Sequence, residues 1–129
     1  MRDGLHDTLR GVFAIRRGMM NSRVIAVDFD GCLCGNRWPK IGEANKAAIR
    51  TLIRLRDNGA RLILWTCRTG ALLDEAVSWC ERHGLTFDAV NDNLPEHIEL
   101  YGGDTRKVFA TEYWDDRARI VKYRRGDAV

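Results

Sequence analysis

Long apolar runs are missing from this sequence. The longest, Val12 to Ile15, Val24 to Val27 and Leu62 to Trp65, hold four residues each, where about 20 are needed to cross a bilayer. A membrane-spanning helix is therefore excluded. A secretion signal would need an apolar core of about 7 to 15 residues, and Val12 to Ile15 runs straight into Arg16 and Arg17, so a cytoplasmic location is expected. With 2 prolines and no low-complexity stretch or internal repeat, neither a Pro-rich linker nor a repeat array fits. Histidine is scarce (6, 83 and 97), and the four cysteines at 32, 34, 67 and 80 lack the C-x2-4-C spacing of zinc sites, which disfavours metal binding through sulfur. In a reducing compartment such thiols are expected to be buried and inert.

What is present is a chain of 129 residues, 45% apolar and 30% charged. That amounts to one globular domain. The net charge of +3 is unevenly spread: residues 1–23 carry five Arg against Asp3 and Asp7, residues 117–129 carry five basic residues against Asp127, and the middle is acidic. The catalytic body is thus placed in the middle. Basic termini can contact nucleic acid by neutralising phosphates, but no stacking aromatics accompany them, and a solvated surface is the plainer reading. Leu5, Leu9, Val12 and Phe13 recur at helical spacing among Arg2, Arg10, Arg16 and Arg17. Residues 1–22 therefore read as a basic, amphipathic N-terminal extension, with residues 23–129 as the catalytic domain and its basic tail.

The order of elements predicts an α/β fold. Arg23 to Phe29, Arg61 to Trp65, Phe87 to Val90 and Val108 to Trp114 read as buried strands. Between them, Ile41 to Asn58 and Leu72 to His83 carry helical apolar spacing and are followed by Gly59 and Gly84, the residues that end helices in a left-handed cap. Pro95 opens a short helix to Tyr101. Alternating strands and helices imply a parallel sheet in a Rossmann-like three-layer sandwich. Such sheets bind ligands at the carboxyl ends of strands where the strand order reverses. Those ends carry Asp28-Phe29-Asp30-Gly31, Thr66-Cys67-Arg68 and Asp115-Asp116-Arg117. They converge if the last strand lies beside the first, on the side away from the second.

Four carboxylates in one crevice repel, by up to about 4 kcal/mol for a close pair at an effective dielectric of 20. Lys107 and Arg68 or Arg117 can offset part of this, and an all-oxygen donor set suits Mg²⁺. Magnesium is the implied cofactor.

The run Val24-Ile25-Ala26-Val27-Asp28-Phe29-Asp30-Gly31-Cys32-Leu33 resembles the first motif of the haloacid dehalogenase (HAD) superfamily of phosphohydrolases, an apolar strand followed by D-x-D-G-T/C-L. Leu62 to Thr66 resembles the second motif, Lys107 is similar to the third-motif lysine, and Tyr113 to Arg117 resembles the acidic fourth motif, all in the family's order. The resemblance implies a magnesium-dependent phosphatase. Asp28 would be the nucleophile and a metal ligand. Asp30 would protonate the leaving oxygen and later activate water, its backbone carbonyl also binding the metal. Thr66 and Lys107 would hold the phosphoryl group, and Asp115 and Asp116 would complete the metal shell, with Asp115 the favoured direct ligand. The presence of Asp30 argues against dehalogenation, because the family's dehalogenases do without this second Asp.

Thr66, Cys67, Arg68 and Lys107 are the expected substrate contacts, Arg68 as a bidentate clamp. The stretches following the motifs are too short for a cap domain, so the chain reads as capless or minimally capped. An open crevice calls for a substrate large enough to cover it, a second copy of the chain, or loose selectivity. The expected substrate is a small-molecule or polynucleotide-end phosphate ester, with Cys34 to Lys40 and Asn91 to Glu96 as the rim. Trp38, Trp65, Trp79 and Trp114 are expected in the core or crevice wall. Two other classes compete: a phosphoacceptor signalling domain, disfavoured because its acidic pair would come first and not last, and a silent binding module, which would need no proton donor at Asp30.

Overall fold

The structure, a computed structural model, describes residues 23–123. The basic extension expected at 1–22 lies outside the described residues. Strands β1 (Val24–Val27), β4 (Arg61–Leu64), β5 (Ala89–Val90) and β6 (Glu112–Trp114) form one sheet in the order β5-β4-β1-β6. Each neighbouring pair in it is parallel. Strands β2 (Cys34–Arg37) and β3 (Lys40–Ala44) form a separate antiparallel hairpin, and three helices, α1 (Lys46–Asp57), α2 (Gly70–Arg82) and α3 (Pro95–Tyr101), join the parallel strands.

β1 is buried at every residue, as a central parallel strand must be. Its alternation divides the core. Ile25, Val27 and Phe29, with Leu62 and Leu64 of β4, pack against Ile49 and Leu52 of α1 and Ala76 and Cys80 of α2. Val24, Ala26 and Ile63 face the other way and pack with Leu94 and Val108. Asp28 continues the even-numbered series beyond the strand's end, which aims it along the second face.

The helices stop where their sequences say. After α1, Gly59 (φ +102°) donates its N–H to Arg56 O and Ala60 donates to Leu55 O; after α2, Gly84 (φ +80°) donates to Glu81 O and Leu85 to Cys80 O. Both are Schellman closures, and in the second the hydrophobic pair that accompanies the motif is the fully buried Leu85 and Cys80.

Two expectations need correction. The helix expected from Ile41 starts at Lys46, because Lys40–Ala44 pairs with Cys34–Arg37 and the Asn45 side chain then caps α1 by accepting from the Ala48 N–H at 3.3 Å. The strand expected from Val108 shortens to Glu112–Trp114, because Phe109 N–H donates to the Asn93 side chain and not to a strand.

Candidate active site

Register brings the acidic ends together. Val27 pairs with Trp114, and the ladder continues one step further as Asp28 N–H donates to Trp114 O at 2.9 Å, so Asp115 follows directly beside Asp28. The strand order places β6 next to β1 on the side away from β4, and the strand order reverses at this point in the sheet. Carboxylate oxygens of Asp28, Asp115 and Asp116 lie within 4.8 Å of one another. None of the three makes an ion pair among the described residues. Burial, a hydrogen bond with Asp116 and the charge of Asp115 push the Asp28 carboxyl up to about 7. An all-oxygen donor set this crowded with negative charge fits a hard divalent cation such as Mg²⁺.

Gly31 makes that crowding geometrically possible. It turns the chain after β1 at φ +82°, and Asp116 occupies the space where a side chain would stand, its Cγ 2.8 Å from an added Cβ. Asp115 in turn accepts the Arg117 N–H at 2.8 Å, which fixes the β6 end.

Lys107 reaches the same place. It shares a cavity of about 310 Å³ with Asp28, Asp115, Trp65, Tyr113 and Trp114, and its ammonium lies 5.8 Å from the Tyr113 ring centroid. Thr66 sits just past β4, where its backbone N–H donates to the Asn91 side chain at 2.8 Å and its hydroxyl accepts from the Arg68 N–H at 3.2 Å. Neither Thr66 nor Asp30 lines the cavity, which lies on the Lys107 side of Asp28.

Arg68 is not the clamp the sequence suggests. Its side chain is 1% exposed and makes four hydrogen bonds: Nε and Nη2 to the two carboxylate oxygens of Asp30 at 2.8 Å each, Nη1 to Pro39 O and Nη2 to Lys40 O at 3.1 Å each. The guanidinium also stacks 5.1 Å from the centroid of the buried Phe29 ring. A fork so fully engaged has no face for substrate, and removing either partner of such a buried pair costs about 3–5 kcal/mol. Asp30 accordingly faces Arg68, and its carboxylate is not part of the acidic cluster.

The rim differs from expectation as well. Cys34 to Lys40 forms the hairpin, whose turn presents Trp38 at 62% exposure, not in a wall. Trp79 packs edge-on against Phe29 at 5.4 Å, while Trp65 and Trp114 are half-buried. Asn91 and Asn93 spend their side chains inside the protein and not on the crevice. Asn91 (φ +54°) holds Thr66, and Asn93, 4% exposed, donates to Thr105 O and accepts from Phe109 N–H. The Asn93 backbone N–H and Nδ2 also both donate to Asp104 Oδ1, which holds that carboxyl well below the usual range. These two asparagines brace the loops that carry Thr66 and Lys107. Sequence gave no direct sign of that, beyond an Asn-Asp-Asn run at a parallel strand's end.

All four cysteines are free. Burial pushes Cys32 and Cys80 up to about 12, with the charge of Asp28 adding to the effect at Cys32. Both are therefore inert thiols. Cys67 departs from the expected burial and is exposed in the loop after β4.

Fold and cluster together define an α/β protein with a four-stranded parallel sheet and three acidic residues at its carboxyl edge. No family model matches the chain, and the curated proteins hold no match to it. Among solved structures, a conserved protein from Bacteroides thetaiotaomicron is 46% identical, with 76% of this chain and 78% of that one covered and a TM-score of 0.68. The chain belongs to the same family as that protein. Among the described residues, no helix is long and apolar enough to cross a membrane.

Proposed function

We propose that this protein is a magnesium-dependent phosphatase of HAD type that hydrolyses a phosphate monoester through an aspartyl-phosphate on Asp28. The observation that carries this reading is the β1–β6 register, which gathers oxygens of Asp28, Asp115 and Asp116 within 4.8 Å at the end of a parallel sheet. Asp28, Asp115 and Asp116 would hold the cation. When bound, Mg²⁺ supplies charge neutralisation that lets a phosphate approach a carboxylate.

The chain's own residues account for the rest. The Asp28 carboxylate attacks phosphorus while the bond to the leaving oxygen breaks, and Asp30, entering this step with a proton on a lone pair that Arg68 leaves free, delivers the proton that this oxygen needs. Water then attacks the aspartyl-phosphate, giving its proton to Asp30 and releasing inorganic phosphate and free Asp28. Lys107, beside Asp28 in the cavity, balances charge on the phosphoryl oxygens. The Thr66 hydroxyl, outside that cavity just past the end of β4, would donate to the phosphoryl group from the β4 side. A small-molecule or polynucleotide-end phosphate ester is the substrate class this site would take.

The test is hydrolysis of a panel of phosphate monoesters with and without Mg²⁺, alongside Asp28→Asn. We expect metal-dependent turnover in the wild type and a loss of at least about 1000-fold in the variant, the scale of losing a covalent nucleophile. Metal-independent turnover, or full activity in Asp28→Asn, overturns the reading.

A further inference from the structure

Arg68 is the largest fully buried side chain in the described residues, and the reaction scheme above gives it no task. A buried cation is costly unless its donors are satisfied, and here they are satisfied by two things only: the Asp30 carboxylate and the backbone of the β2–β3 turn at Pro39 and Lys40. The planar fork fixes both carboxylate oxygens at once, which a single ammonium could not do. It takes one lone pair on each oxygen. A carboxylate has about four such sites, and the Asp30 side chain keeps 17% exposure while Arg68 has 1%. The sites left over therefore belong to the side away from Arg68.

We propose that Arg68 is a positioning residue for proton transfer, holding the Asp30 carboxyl group in a fixed orientation and tying it to the backbone of the β2–β3 turn. The inference rests on the phosphatase reading, in which Asp30 serves the leaving oxygen. Arg68 touches neither substrate nor metal; it acts through Asp30. Its contribution is then largest for substrates whose leaving group most needs a proton.

The experiment compares phenyl phosphate with 4-nitrophenyl phosphate, which are alike in shape but differ in how readily the departing oxygen leaves unprotonated. Arg68→Lys keeps the charge and loses the fork. It is expected to lower kcat on phenyl phosphate by about 100-fold, within the range of general acid catalysis, and on 4-nitrophenyl phosphate by less than about fivefold. In an Asp30→Asn background the same substitution should cost nothing further, because coupled residues fail to add. Equal losses on both substrates, or full additivity with Asp30→Asn, overturn the proposal while leaving the phosphatase reading intact. Absence of Mg²⁺-dependent turnover in the wild type overturns both. Arg68→Gln combined with Asp30→Asn removes both charges together and serves as a folded reference by circular dichroism. If Arg68→Lys and Arg68→Gln both unfold while that reference folds, the residue's role is structural and the proposal falls.

Discussion

Asp116 rests in the place a side chain would take on Gly31, its carboxylate packed against the turn that follows β1. A methyl group at Gly31 would meet that carboxylate, and φ +82° disfavours any L side chain there. Gly31→Ala is thus expected to displace Asp116 from the acidic cluster and, with the strained turn, to cost about 1–3 kcal/mol of stability. Magnesium titration of activity should show at least about a tenfold weaker apparent affinity. A folded variant with unchanged magnesium dependence would separate Asp116 from the metal.

In the metal-free protein, the raised Asp28 carboxyl has a definite linkage sign. Its folded value of about 7 stands above the ordinary carboxyl value of 3.8, so the folded state holds the proton more tightly than the unfolded chain. The resulting stability is fully present below the unfolded value and is lost as pH rises towards and through 7. Thermal melts in chelator should therefore fall in Tm between about pH 4 and 8, against the usual carboxylate trend. Added Mg²⁺ should restore Tm at pH 8 more than at pH 5, since protons and the cation compete for the same oxygens. Asp28→Asn should flatten the chelator curve.

What the sequence discloses of this fold depends on how much each element buries. The parallel strands and helices announced themselves through apolar runs and helical spacing, and Gly59 and Gly84 closed helices as left-handed caps do. The convergence of Asp28 with Asp115 followed from strand order, one topological assumption that the sheet satisfies. The β2–β3 hairpin stayed hidden because it buries almost nothing: of Cys34–Arg37 only Cys34 is buried, and no alternation marks either strand. The inward turn of Arg68 is illegible in the sequence for a related reason. Sequence shows an arginine beside a strand end, but whether it turns outward to a ligand or inward to Asp30 depends on the hairpin carbonyls that receive it.

His97 titrates in the opposite sense to Asp28. It is 2% exposed, packed edge-on against Phe109 at 4.6 Å, and its Nδ1 has no hydrogen-bond partner. Burial lowers its pKa from 6.5. The stability it contributes is present above the unfolded value of 6.5 and is lost as pH falls through the depressed folded value. Replacing it with Leu removes the group that must charge on acidification. Comparing wild type and His97→Leu in Mg²⁺ from pH 7 to pH 5, Tm should fall less in the variant; equal slopes would show that His97 takes up its proton alike in the folded and unfolded states.

Asn93 links stability to the position of Lys107. Its Oδ1 accepts the Phe109 N–H at 2.7 Å, while its Nδ2 donates to Asp104 at 2.8 Å and to Thr105 O at 3.0 Å, so one buried amide holds both ends of the loop around Lys107. Asn93→Ala leaves Phe109 N–H and Thr105 O without those partners, at about 1–3 kcal/mol for each group left buried and unsatisfied. Urea melts should show that loss. Because Lys107 acts on charge that develops at phosphorus, a shifted loop should lower kcat by about 10- to 100-fold with less effect on KM. Asn93→Asp keeps an acceptor for Phe109 N–H but replaces the Nδ2 donor with a charge beside Asp104, and should be at least as damaging. A variant that loses stability while keeping full kcat would show that Lys107 is placed by some other contact, with its packing over Tyr113 the next to examine.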